Sequence, residues 1–387
     1  MSDACDVLVI GAGIHGAGAA QAAAAAGYTV RVLEKAGVAA ATSCRSSKLI
    51  HGGLRYLETG QYDLVRESLR ERAILLRIAP QLVRLVPFHI PVYRETRRSR
   101  LTLRAGLMLY AALGDFRRES WFRTLPRREW ASLDGLETRG LKAVFRYQDG
   151  QTDDAALTQA VLRSAQTLDA ELILPGEFLD ATRIPDGYRV RYRSTHGEEE
   201  CVCRVLINAS GPWINDTLAR ITPRPPQPAV ELVQGAHVVL EGALVRGAYY
   251  TEAEDGRAVF IMPWRSMTLV GTTETPHPGA PRMVQATPAE TEYLLRVVKQ
   301  YFPAHNLKPR DSFAGLRVLP KSTGRAFERS RETIYLADTP SAPRLVSIVG
   351  GKLTGYRAAA QKVLALLKPS LPPRAPRADT ATLLLEK

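Results

Sequence analysis

The chain has 387 residues, more than a single hydrophobic core usually supports, so we expect two domains. Its 45% hydrophobic and 24% charged residues are ordinary for a folded protein and exclude a disordered, collagen-like or disulfide-scaffold chain. The net charge of +13 comes from Arg and Lys scattered along the chain. The scatter of this charge and the lack of a basic tract with interleaved aromatic residues argue against binding of nucleic acid. The charge therefore favours binding of anionic small ligands or of an anionic membrane surface.

The four cysteines offer neither a C-x-x-C pair nor histidine partners at metal-ligand spacing. We therefore expect no zinc site and no disulfide framework, and a reducing, cytoplasmic compartment. The apolar residues 7–10 follow aspartates and are interrupted by glycines, unlike a secretory signal peptide. No stretch approaches the ~20 apolar residues that a membrane-spanning helix needs.

The start of the chain has the pattern of a βαβ unit. Residues 6–10 are branched and apolar, as in a strand buried on both faces, and residues 29–33 form a second strand after an Ala-rich helical stretch. Between strand and helix, glycines allow a tight turn, close approach to a pyrophosphate and close packing of the helix. These glycines are Gly11, Gly13 and Gly16. Glu34 ends the second strand and can accept hydrogen bonds from ribose hydroxyls, so the unit predicts dinucleotide binding and leaves NAD and FAD open.

Later segments repeat the passage from a strand through a glycine turn to a helix. We predict this design at 205–213 and 345–354, and a further helix capped by Asp153 or Asp154. Residues 230–309 alternate short strands with Pro- and Gly-rich turns, which is typical of an antiparallel sheet. The predicted fold is α/β. We place the nucleotide-binding domain at 1–80, 145–222 and 310–368, the substrate-binding domain at 81–144 and 223–309, and a loose Pro-rich tail at 369–387.

Six motifs resemble the FAD-dependent glycerol-3-phosphate dehydrogenases and occur in that family's order along nearly the whole chain. The run Ser-Ser-Lys-Leu-Ile-His-Gly-Gly-Leu-Arg-Tyr at 46–56 is highly specific to the family. The resemblance implies a glutathione-reductase-like Rossmann FAD domain interleaved with a mixed or antiparallel substrate domain, arranged as in D-amino-acid oxidase. His15 and Glu274 stand where the family often has Asn and Asp, and many members continue into a helical C-terminal domain. The motifs lie at 10–18, 41–58, 208–213, 271–273, 314–317 and 350–357.

The resemblance also implies the catalytic residues His51, Arg55, Arg317 and Lys352. Oxidation of a secondary alcohol needs a base for the hydroxyl proton, and His51 suits that role, with a histidine that only hydrogen-bonds beside the flavin as the alternative. Nearby cations are expected to lower its pKa below the ordinary value of about 6.5 and to keep the ring neutral. We expect Arg55, Arg317 and Lys352 to bind the substrate phosphate together, while Tyr56 donates a hydrogen bond or packs against it.

The same motifs imply the residues that hold FAD. Gly350 and Gly351 precede a helix and would direct backbone N–H groups at the pyrimidine edge of the flavin, where negative charge develops on reduction. The serines of the loop before His51 would hydrogen-bond the ring system, or form an ordinary polar loop. The full set is Gly11, Gly13, Ile14, Gly16, Glu34, Lys35, Thr42, Ser43, Ser46, Ser47, Leu49, Gly211, Gly315, Gly350, Gly351, Leu353 and Thr354.

Residues 98–118 place an apolar stretch between arginines, which predicts either insertion at a membrane surface or a helix packed within the substrate domain. Taken together, the resemblance implies oxidation of sn-glycerol 3-phosphate to dihydroxyacetone phosphate, with electrons passed to membrane quinone at the inner face of the cell membrane. Two alternatives stay open. The chain could be an FAD oxidoreductase for another small hydroxy acid or amine, or a basic membrane- or nucleic-acid-binding module with an inactive nucleotide site.

Overall fold

Two β-sheets form the framework of the computed structural model, which describes residues 4–305, 308–321 and 332–386. The first sheet has parallel strands at its centre and antiparallel strands at one side. Its members are β1 (Ala4–Ile10), β2 (Val30–Leu33), β7 (Glu171–Ile173), β8 (Glu177–Ile184), β9 (Gly187–Ser194), β10 (Gly197–Asn208), β11 (Ile221–Thr222), β18 (Ile334–Ala337) and β19 (Leu345–Val349).

The parallel part of the first sheet follows the order β7, β2, β1, β10, β19, the arrangement of a Rossmann-type domain. Val7, Val9 and Val32 are fully buried in it, as expected for strands covered on both faces. Three helices share one apolar core with this sheet, because each turns small or branched residues towards it. They are α1 (Ile14–Ala25), α4 (Asp154–Gln166) and α7 (Tyr356–Leu367).

The second sheet is mostly antiparallel and is covered by helices on both faces. Its strands are β3 (Leu49–Ile50), β4 (Val83–Tyr93), β5 (Arg123–Thr124), β6 (Leu141–Thr152), β12 (Val230–Leu240), β13 (Ala248–Glu252), β14 (Ala258–Trp264), β15 (Met267–Gly271), β16 (Thr275–Pro276) and β17 (Pro309–Pro320). Helices α2 (Tyr62–Ile78) and α3 (Arg100–Leu113) pack on one face, and α6 (Pro288–Tyr301) packs on the other. The short helix α5 (Ile214–Leu218) follows the first sheet's strand β10. The predicted α/β fold with a Rossmann sheet and a second mixed sheet is confirmed.

Strand pairing differs from the predicted domain boundaries at the short strand β3, which pairs with β6, and at two longer strands. Strand β6 begins at residue 141 and continues to 152 within the second sheet, whereas the prediction assigned residues from 145 onward to the nucleotide-binding domain. Strand β17 pairs with β12 along 309–320, whereas the prediction returned the chain to the first domain at 310. These differences have one cause: these strands pair with partners distant in the sequence, which local patterns do not reveal.

The tail after α7 is packed against the first domain, so the expectation of a loose tail was wrong. Leu371 and Leu385 are buried in the core of the first sheet's helices. The backbone N–H of Leu385 donates to the carbonyl of Ile78 at 2.7 Å, and Arg374 forms an ion pair of 3.1 Å with Asp6. Its apolar side chains fix the tail despite its prolines, because they cover surface that would otherwise face water.

Candidate active site

A cavity of about 970 Å³ lies between the two sheets, at the carboxyl ends of the parallel strands. The residues that follow β1, β2, β10 and β19 line it on one side, and side chains of the second sheet line it on the other. This is where open α/β sheets bind their ligands. Every predicted site residue except Gly16 lines this cavity.

The turn between β1 and α1 forms one end of the cavity. Gly11 has a φ of +99°, which favours glycine, and a side chain on Gly16 would bring its Cβ within 1.9 Å of the Gly11 carbonyl oxygen. Gly16 therefore lies behind the turn and lets α1 pack closely. The Glu34 carboxylate accepts hydrogen bonds of 2.8 Å from the backbone N–H groups of Ala12 and Ala36. These bonds fix the acid at the strand end while the start of α1 faces the cavity.

The serine-rich loop before β3 is tied to several other elements. Ser43 accepts a hydrogen bond of 2.9 Å from the N–H of Ile14, and Ser47 bonds to His237 at 2.9 Å. The Ser46 hydroxyl donates to Asp154 at 2.7 Å. Asp153 caps α4, whereas Asp154, the other predicted cap, forms a buried ion pair of 2.6 Å with Lys48.

The glycine turn after β19 forms the inner end of the cavity. Gly350 and Gly351 have φ angles of +70° and +92°. A Cβ at Gly351 would lie 2.3 Å from Nε2 of His15, so the turn has no room for a side chain there. Thr354 Oγ1 accepts a hydrogen bond of 3.1 Å from the N–H of His51, which joins this turn to the proposed base.

A cluster of cations lies beside His51. Arg317 is 3.3 Å and Arg55 is 3.7 Å from the same Glu274 oxygen. The guanidinium of Arg55 and the ammonium of Lys352 both contact the ring of Tyr56, at 5.3 Å and 4.0 Å from its centroid. The second sheet and two loops thus bring together the three cations that the sequence motifs selected. We call Arg55, Arg317 and Lys352 the cation cluster.

His51 is neutral at pH 7 in this environment. Its pKa is lowered to about 3, first by burial and then by the positive charges of Lys352, Arg55 and Arg72. The sequence predicted the direction from the cations, but burial is the larger cause. The ring also meets Phe260 edge to face, with centroids 6.3 Å apart.

Sequence reasoning missed His237, which lines the cavity, and Glu274, which pairs with two of the cavity's arginines. His237 is buried in β12, stacks on Phe313 with 5.0 Å between centroids, and has its pKa lowered to about 3, first by burial and then by Arg317 and Lys48. The only sign of His237 in the sequence was a single histidine within an apolar stretch. Glu274 was noted only as a departure from the family pattern, and its contact with both arginines depends on tertiary structure.

Comparison with known proteins agrees with this geometry. Residues 6–357 match the family described as FAD dependent oxidoreductase. The chain is 34% identical over 384 residues to D-erythritol 1-phosphate dehydrogenase of Brucella abortus (strain 2308), covering 96% of this chain and 75% of that protein. It is 36% identical over 387 residues to glycerol-3-phosphate dehydrogenase of Pseudomonas aeruginosa, covering 95% and 72%. The crystal structure of glycerol-3-phosphate dehydrogenase from Bacillus halodurans complexed with FAD is similar with a TM-score of 0.73 and 26% identity, covering 98% and 67%.

Proposed function

The chain belongs to the FAD-dependent oxidoreductase family, in its glycerol-3-phosphate dehydrogenase branch, and from this we propose that it oxidises sn-glycerol 3-phosphate to dihydroxyacetone phosphate. The observation that carries the proposal is the cation cluster beside a neutral histidine in the cavity that suits FAD. A relative named for D-erythritol 1-phosphate makes phosphorylated polyols the substrate class within which this substrate is proposed.

The residues of the cavity fit FAD along its whole length. The start of α1 and the turn at Gly11 and Gly13 would hold the pyrophosphate, and Glu34 the adenosine ribose. The glycine turn at Gly350 and Gly351 would face the flavin, because its backbone has no side chains to obstruct a flat ring. When bound, FAD supplies the hydride acceptor at its N5 atom.

The cation cluster would bind the substrate phosphate. A phosphate monoester carries a charge of about −1.5 to −2 at pH 7 and three acceptor oxygens, so guanidinium and ammonium groups suit it. Arg55 and Arg317 are already oriented by Glu274, which reduces the conformational entropy lost on binding. A bound phosphate would place the polyol hydroxyl near His51.

His51 would take the proton from the C2 hydroxyl. As the hydride leaves C2 with both bonding electrons, the O–H bond breaks, its electron pair forms the C=O bond, and the proton moves to the imidazole nitrogen. Lys352 and Arg55 lower the pKa of His51 when the phosphate is absent. A phosphate dianion beside these cations opposes their effect and makes the ring a stronger base when substrate is bound.

Anaerobic titration of the FAD-loaded protein tests the proposal. We expect sn-glycerol 3-phosphate to bleach the flavin absorbance, with D-erythritol 1-phosphate as the comparison within the substrate class. Glycerol, lactate and glycine serve as controls that lack the phosphate. Bleaching by a hydroxy acid or an amine, but by neither phosphate, would support the alternative oxidoreductase and contradict the proposal.

We further propose that the enzyme docks on an anionic membrane and passes its electrons to quinone. The described helices are all too short or too polar to cross a bilayer. One face of α3 and the following loop nevertheless expose apolar side chains, at Leu101, Met108, Leu109, Phe116 and Trp121. Exposed arginines surround them, at Arg97, Arg100, Arg104, Arg117 and Arg118. We call these apolar and basic residues the α3 patch, and its composition suits insertion at a lipid surface.

A further inference from the structure

A buried hydrogen-bond chain runs from α3 to the residue after His51. The backbone N–H of Gly52 donates to the Tyr110 hydroxyl at 3.0 Å, and that hydroxyl donates to Asp149 Oδ2 at 2.9 Å. The other oxygen of Asp149 pairs with Arg72 at 2.5 Å. The residues Tyr110, Asp149 and Arg72 are at most 1% exposed. This hydrogen-bond network is therefore shielded from bulk water.

Arg72 balances the negative charge of Asp149 and sets the direction of the hydrogen bonds in this network. Its guanidinium also donates to the carbonyls of Gln148 and Glu119, at 3.1 Å and 3.2 Å, and to the Ser120 hydroxyl at 3.0 Å. The guanidinium compensates the buried carboxylate of Asp149, which would otherwise be costly to desolvate. Because Asp149 accepts the Tyr110 proton, the hydroxyl presents a lone pair to Gly52.

These hydrogen bonds hold the backbone of His51. Its own N–H is bonded to Thr354, and the N–H of the next residue is bonded to Tyr110, at 3.1 Å and 3.0 Å respectively. The peptide groups on both sides of its Cα are thus held from two different elements, the turn after β19 and helix α3. Two fixed peptide groups set the direction in which the imidazole leaves the backbone. Gly52 is also tightly enclosed, since a Cβ there would lie 2.5 Å from the Tyr110 oxygen.

We propose that Tyr110 is a positioning residue for the oxidation, holding the His51 peptide so that the imidazole faces the substrate hydroxyl. The proposal rests on the proposed function, in which His51 accepts the proton. A shift of about 1 Å in a catalytic group can lower a rate by about 100-fold, so a single buried hydroxyl can have a large effect on turnover. The cation cluster makes its contacts through Glu274 and Tyr56, so phosphate binding should depend little on Tyr110.

The test compares Tyr110→Phe with Tyr301→Phe in the FAD-loaded protein. Tyr301 is another buried tyrosine, and its hydroxyl accepts a hydrogen bond of 3.1 Å from the Glu252 N–H and donates to the Glu252 carbonyl at 2.8 Å, on the far face of the second sheet. Each variant loses one hydroxyl that accepts a hydrogen bond from a backbone N–H, so Tyr301→Phe controls for the loss of such a hydroxyl away from the cavity. Thermal unfolding checks that each variant is folded.

Two measurements test whether Tyr110 positions His51. We expect amide hydrogen exchange in residues 49–54 to speed up in Tyr110→Phe only, and flavin reduction by sn-glycerol 3-phosphate to slow by about 10- to 100-fold with KM changed less than about threefold. Unchanged exchange, or equal reduction rates in the two folded variants, would overturn the proposal. A wild-type flavin that no phosphorylated polyol reduces contradicts the proposed function instead, and the exchange data then still show whether Tyr110 holds the loop.

Discussion

The carboxylate of Glu274 accepts a hydrogen bond of 3.3 Å from the guanidinium of Arg317. Arg55 approaches the same oxygen to 3.7 Å, so an acidic side chain of the protein lies where two proposed phosphate ligands meet. It orients both arginines and at the same time opposes the approach of a second anion. This pairing predicts how the site responds when its negative charge is removed.

Replacement of Glu274 by Gln should strengthen the binding of inorganic phosphate to the FAD-loaded protein by about tenfold, because the repulsion of one nearby negative charge is removed. The dissociation constant, measured by calorimetry at low and high salt, checks this, and the gain should shrink at high salt. Glu241→Gln is the control, since Glu241 follows β12 and forms an exposed ion pair of 3.8 Å with Arg310 of β17. Weaker phosphate binding in Glu274→Gln would show that orientation of the arginines outweighs charge.

Replacement of His51 by Gln should lower the rate of flavin reduction by about 10²- to 10⁴-fold, the usual contribution of a general base. Stopped-flow absorbance with sn-glycerol 3-phosphate measures the rate. Binding of inorganic phosphate should change little, because the cation cluster is intact. His196→Gln, in an exposed turn, is the control for loss of an imidazole. An equal rate in wild type and His51→Gln would leave His51 as a hydrogen-bonding neighbour of the flavin.

Local sequence was enough to predict the parts of the molecule whose contacts are local. In the turn from β1 into α1, Gly11 has a positive φ and Gly16 leaves room for the Gly11 carbonyl, and both requirements lie within the turn, so the spacing alone identified it. The capping of α4 by Asp153 is likewise a contact across three residues. The family motifs then selected the cation cluster, although its members lie far apart in the chain.

Contacts between distant segments could not be predicted from the local sequence. The predicted boundary at 310 failed because β17 pairs with β12, about 80 residues earlier, and nothing within β17 indicates that partner. The bond between Tyr110 and Asp149 joins residues 39 apart, and nothing in the sequence of α3 indicates that acceptor. The packed tail was missed because proline suggested disorder, whereas a few leucines decide its burial.

Acidification should destabilise the protein through buried histidines. Burial lowers the pKa of His89 to about 4 and of His237 to about 3, both below the unfolded value near 6.5. Between the unfolded and folded pKa values the unfolded chain binds a proton that the folded chain does not, so the free energy of unfolding falls as pH drops from about 6.5. Each such histidine contributes about 1.4 kcal/mol per pH unit.

Urea unfolding at pH 7, 6 and 5 would show this for wild type and for His89→Gln, a position outside the cavity. The loss of stability between pH 7 and pH 5 should be smaller in the variant by roughly 2 kcal/mol. Parallel pH dependence in the two proteins would mean that His89 is protonated equally easily when folded.

The α3 patch predicts binding to vesicles that contain phosphatidylglycerol and weak binding to vesicles of phosphatidylcholine alone. Leu101→Asp with Met108→Asp places charges in the apolar part and should weaken flotation with anionic vesicles by at least about tenfold. Flavin reduction in solution should be unchanged, while reduction of a membrane quinone should fall. Val245→Asp is the control, as Val245 is as exposed as Leu101, at 77%, and lies outside the α3 patch. Equal flotation of the double variant and wild type would contradict docking through this patch.

The tail offers two adjacent leucines in opposite environments. Leu385 is 3% exposed within the core under the first sheet's helices, and Leu384 is 64% exposed. Leu385→Ala should therefore lower the free energy of unfolding by about 2–5 kcal/mol, through lost burial and the cavity left behind. Leu384→Ala should lower it by less than about 0.5 kcal/mol. Urea unfolding of both variants measures the difference. Because both substitutions remove the same atoms one residue apart, equal effects would mean that the tail does not pack on the first domain.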